Sequence, residues 1–160
     1  AMLAPIFNGE SMGLLSDSGT PCIADPGNKI VAYAHLHHIC IKPLVGPSSI
    51  ILSLMSSGFN GQNFRFIGYL PKDKTERNER LVSMQKAIRN TKETQIFIET
   101  PYRNNDLLAD LVKTLESDIM LSLSIDLTTP SEQIISQSID AWRKRVLPDI
   151  NKKLCIFLLN

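Results

Sequence analysis

The 160-residue chain contains no apolar run near the roughly 20 residues that a membrane-spanning helix needs. Its first residues also lack the charged-then-apolar layout of a secretory leader. These two absences make a cytoplasmic location the expectation. Cysteine is scarce: Cys22, Cys40 and Cys155 are odd in number, far apart and without the close spacing of metal ligands. A disulfide framework and a zinc site are both unsupported, and the thiols read as reduced, buried packing residues. Basic charge is not in excess either. A formal net charge of +1 argues against a domain that holds nucleic acid by bulk electrostatics. No internal repeat or low-complexity tract interrupts the chain. What remains is an ordinary globular composition, 43% hydrophobic and 21% charged, enough for one sizeable core or two small ones.

Against that background one stretch stands out: Ser16-Asp17-Ser18-Gly19-Thr20-Pro21-Cys22-Ile23-Ala24-Asp25-Pro26-Gly27. It follows the apolar run Met12-Gly13-Leu14-Leu15 and precedes the helical pattern Ile30, Val31, Ala34. A polar loop stiffened by glycine and proline at the carboxyl end of a buried strand is where open α/β sheets bind ligands. The stretch therefore marks a small-molecule site.

Periodicity predicts a strand over Ser11 to Ser16, a helix from Pro26 to about His37 and a strand near Ile39 to Leu44. A second helix starts at Pro47 and Ser48, carries Ile50, Ile51, Leu54 and Met55 at helical spacing, and stops near Gly58. Ala1-Met2 reads as a tag remnant, and Leu3 to Phe7 is too short for a complete element. Two strands cannot make a stable sheet alone, which leaves oligomerisation or an absent part of the domain. The turn-rich Gly58 to Asn63 marks a boundary. Beyond it the pattern gives strands at Phe64 to Leu70, Thr94 to Glu99, Ile119 to Leu127, Glu132 to Ser138 and Lys153 to Leu159. Helices fall at Lys74 to Arg89, Asn104 to Leu115 and Ile139 to Val146. The fold class is α/β, with a partly present first domain over 1–60 and, over 64–160, a second with a mixed five-stranded sheet and helices.

The loop resembles the Ser-Asp-x-Gly-Thr-Pro-x-x-x-Asp-Pro-Gly signature of the tetrapyrrole-methylase-like S-adenosylmethionine methyltransferases. The similarity is to the branch that methylates the ribose 2′-oxygen of a cytidine in bacterial 16S ribosomal RNA. Further segments fit that branch in order: Val45-Gly46-Pro47-Ser48-Ser49, Gly68-Tyr69-Leu70-Pro71, Phe97-Ile98-Glu99-Thr100, Tyr102-Arg103, and Asp126-Leu127-Thr128 leading to Glu132. The resemblance implies two α/β domains with the cofactor folded in the cleft between them. It implies S-adenosylmethionine as cofactor, ribosomal RNA or the small ribosomal subunit as partner, and a homodimer. Residues 1–60 correspond to only the back half of the family's first domain, so an incomplete cofactor site, inactive by itself, is expected. Two alternatives stay open: a corrin or porphyrin (tetrapyrrole) C-methyltransferase, and a non-catalytic binding or assembly module with the same fold.

Methyl transfer from a sulfonium is an in-line displacement that needs alignment and exclusion of water, with no metal. By position in the family pattern Asp17, Thr20, Ser49, Ile50, Glu99 and Leu127 match cofactor contacts. Asp17 alone could form an Asx turn, Asp25 could cap the helix after it, and Ser48 or Ser49 could cap the next. The candidates on the catalytic, substrate side are Glu99, Arg103 and Asp126. A carboxylate at a strand end beside an arginine is also an ordinary structural ion pair, whereas a hydroxyl nucleophile gains from a nearby proton acceptor. Where the branch reads Arg-Glu-Leu-Thr-Lys, this chain has Ile125-Asp126-Leu127-Thr128-Thr129, with a shorter acid and both basic residues replaced. Lys72, Lys74, Arg77 and Arg80 form a basic patch, but the interleaved Asp73, Glu76 and Glu79 make a solvated helix face the simpler account. His35, His37 and His38 fit a helix C-terminus better than a metal site. Trp142, among Arg143, Lys144 and Arg145, could stack on a base, though a lone tryptophan is more often a core anchor.

Overall fold

Apolar residues alternate with serines along Met120–Ile125, and such a strand buries two different faces against two different layers. The computed structural model describes residues 3–160, so Ala1-Met2 lies outside the described residues. The chain divides into two compact units, one ending at Ser48 and one from Ser49 to Asn160.

The first unit holds α1 (Ala4–Phe7) and α2 (Asn28–Leu36). The single turn α1 falls within the segment judged too short for an element. Neither expected strand forms: 11–16 and 39–44 lie outside any regular element and have no ladder partners. A strand persists only where a neighbour takes its hydrogen bonds, and an apolar pattern cannot supply one. Leu15, Leu44 and Val45 are accordingly exposed.

In the second unit α3 (Ser49–Ser57) precedes β1 (Phe64–Tyr69), α4 (Lys74–Thr91) and β2 (Thr94–Ile98). A short 3-10 turn, Pro101–Arg103, leads into α5 (Asn104–Thr114). Then come β3 (Met120–Ile125), β4 (Gln133–Ser138), α6 (Ile139–Arg143) and β5 (Cys155–Leu159). The five strands form one mixed sheet in the order β1-β2-β5-β3-β4. All five expected strands and the four helices from Ser49 onward are present, with ends shifted by a few residues. The helix Ser49–Ser57, read from sequence as part of the first domain, packs on this sheet: Ile50 and Leu54 meet Ile96, Ile156 and Leu158.

Each face of the sheet has its own layer. Phe97, Phe157, Leu121 and Leu123 point to the side covered by α4, α5 and α6. There Trp142 is fully buried, and its indole N–H donates to the Leu121 carbonyl at 3.0 Å, so it is a core anchor and not a stacking surface. Arg143 closes the end of α5 by donating to the carbonyls of Val112 (2.9 Å) and Leu115 (2.6 Å), which would otherwise lack partners. On the α3 side the small residues Ser53, Ser122 and Ser124 are buried, which lets helix and sheet approach closely. Asp73 caps α4 by accepting from the N–H groups of Thr75 (2.8 Å) and Glu76 (3.0 Å).

Candidate functional site

Because β1 is parallel to β2, and β2 and β3 are both antiparallel to β5, the carboxyl ends of β1, β2 and β3 share one edge of the sheet. Two of the acids singled out from sequence sit there. Glu99 follows Ile98, the partner of Ile156, and Asp126 follows Ile125, the partner of Cys155. One strand, β5, separates them, which places their backbones about 10 Å apart.

Glu99 is buried, its side chain only 2% exposed, and it is tied down from its own C-terminal side. Its Oε1 accepts from the Thr100 N–H at 2.6 Å and from the Arg103 guanidinium, which also donates from Nε to Thr100 Oγ1 at 3.2 Å. The 3-10 turn after Thr100 makes this possible, since it brings Arg103 back over the strand end it has just left. The pair is thus both a structural ion pair and a carboxylate held beside a cation at a sheet edge.

Asp126 is held more completely. Its Oδ1 accepts from the Leu154 N–H at 3.1 Å, and its Oδ2 accepts from Lys153 Nζ at 2.9 Å and Ser131 Oγ at 3.2 Å. The Lys153 ammonium holds the carboxyl below the ordinary aspartate range, against the opposing effect of burial, with the Leu154 and Ser131 donors adding to it. A carboxylate so engaged is an anchor and a poor proton acceptor. The anchored loop is also strained: Asp126 has φ +48° and Thr128 φ +68°. The left-handed region is tolerable for aspartate but unfavourable for a β-branched threonine. The turn is held closed by Glu132 accepting the Thr128 N–H (2.6 Å) and the Asp126 carbonyl accepting from Thr129. Leu127, between the two strained residues, has no main-chain part in those bonds.

Asn104, fully buried at the start of α5, joins the two anchors by donating to the Lys153 carbonyl at 2.8 Å, while Asn105 accepts from the Ile150 N–H at 2.9 Å. Lys152 N–H donates to the Pro101 carbonyl at 3.0 Å. Sequence reasoning missed Lys153 and Asn104, and it gave Thr100, within the Glu99 motif, no role. Lys153 lies 27 residues from Asp126, and only the sheet order brings them together.

The other candidates are placed as follows. Ser49 is exposed at the first residue of α3, whereas the Ile50 side chain is committed to the core, so only its main chain could touch a ligand. In the first unit Asp17 is exposed and Thr20 half-buried on the expected loop. Ser16, not Asp17, makes the local side-chain turn, with its Oγ 2.9 Å from the Ser18 carbonyl. Asp25 does not cap α2; the cap is Gly27, at φ +135°, where a Cβ would come within 2.7 Å of Leu14 and 2.8 Å of Cys22. Of the cysteines only Cys155 is buried; Cys22 is half-buried and Cys40 exposed. Arg77 leaves the basic patch, being bound to Asp110 and to the carbonyls of Pro71 and Lys72. His37 packs against Phe7 and Tyr33 at the end of α2. Among the described residues no cluster of three or more His, Cys, Asp or Glu side chains is placed to hold a metal.

The fold has counterparts among solved structures. The chain superposes on the methyltransferase CobJ with a TM-score of 0.55 at 16% identity, covering 90% of this chain and 62% of that one. It superposes on a diphthine synthase with a TM-score of 0.59 at 15% identity, covering 88% and 56%. The chain has the tetrapyrrole-methylase-like fold, as its motifs implied. No protein-family model matches it. At the level of sequence it is a relative of proteins named ribosomal RNA small subunit methyltransferase I. It is 32% identical to that of Xylella fastidiosa over 99% of this chain and 56% of the relative. For Vibrio cholerae the identity is 32% over 92% and 50%, and for Buchnera aphidicola 35% over 79% and 43%. The chain therefore spans about half the length of the curated relatives it matches.

Proposed function

We propose that the protein is an S-adenosylmethionine-dependent methyltransferase that modifies a ribose 2′-hydroxyl of small-subunit ribosomal RNA, working in the cytoplasm as a homodimer. The observation that carries this reading is the 32% identity to a protein named ribosomal RNA small subunit methyltransferase I, over 99% of this chain and 56% of that protein; the ribose 2′-oxygen comes from the motif resemblance. The sheet edge is compatible with it. A cofactor with an amino-acid end, a ribose and an adenine needs a few hydroxyls and main-chain groups at strand ends. The Leu127 main chain and the Ser49 hydroxyl are of that kind, and Asp17 and Thr20 are proposed contacts on their motif alone. When bound, the cofactor supplies a methyl group on a sulfonium centre.

The chain's own residues then have distinct parts. Glu99, whose Oε1 is engaged, keeps Oε2 as the free acceptor for a hydroxyl proton or a ligand hydroxyl. Arg103 positions Glu99, and Asp126 holds the Leu127 loop. The test is incubation of the full-length protein with small ribosomal subunits and methyl-labelled S-adenosylmethionine, followed by alkaline digestion. Ribose 2′-methylation blocks hydrolysis at one linkage, so label in an alkali-resistant dinucleotide is the expected result. Label only in a porphyrin-type acceptor, or in neither, refutes the proposal.

A further inference from the structure

The strand edge that carries Glu99 and Asp126 also carries two exposed aromatic rings. Tyr69, the last residue of β1, is 60% exposed, and Tyr102, in the 3-10 turn after β2, is 74% exposed. Single exposed aromatics need no explanation. Here the backbone is altered in a way that exposes one of them. From Phe64 to Phe66 the register of β1 on β2 is regular, Phe66 facing Ile96; then Gly68 faces Phe97 and Tyr69 faces Ile98, so Ile67 is an extra residue. Bulges in parallel pairs are rare, and near active sites they re-aim side chains.

The consequence can be read from parity. Phe66 and Ile98 lie on the α3 side of the sheet, and unbroken alternation from Phe66 would send Tyr69 to the opposite side, into the layer of α4 and α5. The bulge instead puts it in register with Ile98. Gly68 sits at φ +80° with nothing within 4 Å of a Cβ, so glycine is required there by backbone conformation and not by space. The chain thus uses a special residue to present a tyrosine at the edge, one strand from the turn that presents Tyr102.

Surface charge at this edge is mixed, with Asp73, Glu132 and Asp149 exposed in the same loops, but the two acids nearest the rings leave their cationic partners outward. The carboxylates of Glu99 and Asp126 are turned inward and paired, while their partners Arg103 and Lys153 remain 31% and 33% exposed. Lys72 and Lys152 are exposed nearby in the loops after β1 and before β5. Aromatic faces flanked by outward cations fit unpaired bases on an anionic backbone. We propose that Tyr69 and Tyr102 form a stacking platform for unpaired bases of the RNA substrate, with Arg103 and Lys153 facing its phosphates. This inference rests on the ribosomal RNA reading above. It accounts for recognition of nucleic acid by a chain whose net charge is only +1, because stacking and a few local cations replace bulk attraction.

The test measures binding of the full-length protein to a single-stranded RNA oligonucleotide and to small ribosomal subunits at several salt concentrations. Tyr69→Ala and Tyr102→Ala are each expected to weaken binding by about 5- to 150-fold, while Tyr69→Phe and Tyr102→Phe, which keep the ring, stay within about twofold. Lys153→Gln is expected to lower the slope of log affinity against log salt by about one. S-adenosylmethionine affinity by calorimetry should be unchanged in both alanine variants. If the wild-type protein methylates and binds RNA but the alanine variants bind it equally well, the platform is refuted while the ribosomal RNA reading stands. If those variants alter sedimentation and leave RNA affinity intact, the rings are a protein contact and the proposal is likewise overturned. A wild-type protein that binds no RNA removes the reading and the platform together.

Discussion

Replacing Arg103 by methionine isolates what holds Glu99 in place. The substitution keeps much of the apolar stem and removes the guanidinium, leaving the Glu99 carboxylate with the Thr100 N–H as its one remaining donor. Breaking a fully buried ion pair costs about 3–5 kcal/mol, because a charge is left uncompensated, and a hydrogen bond to a charged group is worth about 1.5–3 kcal/mol. Glu99 is 2% exposed but Arg103 is 31% exposed, so water reaches the vacated position and offsets part of the loss. The expected cost is therefore about 2–3 kcal/mol. With a urea slope of about 1–3 kcal/mol/M, the unfolding midpoint should fall by roughly 0.7–3 M. Glu99→Gln removes the charge that needs compensating, so adding it to Arg103→Met should cost less than the sum of the two. A coupling energy of about 1 kcal/mol or more is expected from the double-mutant cycle. A loss under about 0.5 kcal/mol for Arg103→Met, or no coupling, would refute the argument that burial makes this pair matter.

Three further outcomes are expected. Cys40, which is exposed, should react with an alkylating reagent at neutral pH in the native protein, whereas burial pushes the Cys155 thiol up to about 12 and should protect it until denaturant is added. Peptide mass spectrometry distinguishes them, and equal labelling would contradict the burial of Cys155. Asp126 has its folded pKa held below the ordinary 3.8, so its contribution to stability is complete above that value and is lost as pH falls through the depressed one. The stability gap between wild type and Asp126→Asn should therefore shrink on acidification from about pH 5 to pH 2.5; a gap that stays constant would count against the Lys153 pairing. Trp142→Ala should cost about 3–5 kcal/mol, since it empties a fully buried site. Far-UV circular dichroism in urea reads this without the tryptophan signal, and a change below 1 kcal/mol would show that the ring is not a core anchor.

Much of the second unit was legible because its elements carry their own signals. Leu107, Leu108, Leu111 and Val112 recur at helical spacing, and Phe64 to Leu70 alternates as a strand does. The two strands expected in the first unit failed for the opposite reason. Ser11 to Ser16 and Ile39 to Leu44 have the composition of strands, yet a strand is a relation between segments, and composition cannot create the neighbour. The motifs also placed Glu99 beside Arg103 correctly, since the spacing of four across a tight turn is itself local.

By itself, then, the amino-acid sequence determined the α/β class, the order of elements from Ser49 onward and the kinship with the methyltransferases, all of which rest on periodicity, capping and short motifs. Tertiary structure alone decided that β5 runs between β2 and β3, and with it that Lys153 meets Asp126 and Asn104 holds the Lys153 loop. It also decided which way Tyr69 faces, because one extra residue in β1 exchanges the two faces of the strand. Both depend on pairing between segments distant in the chain, and strand order and register are set by the summed packing of two faces, which no local pattern records.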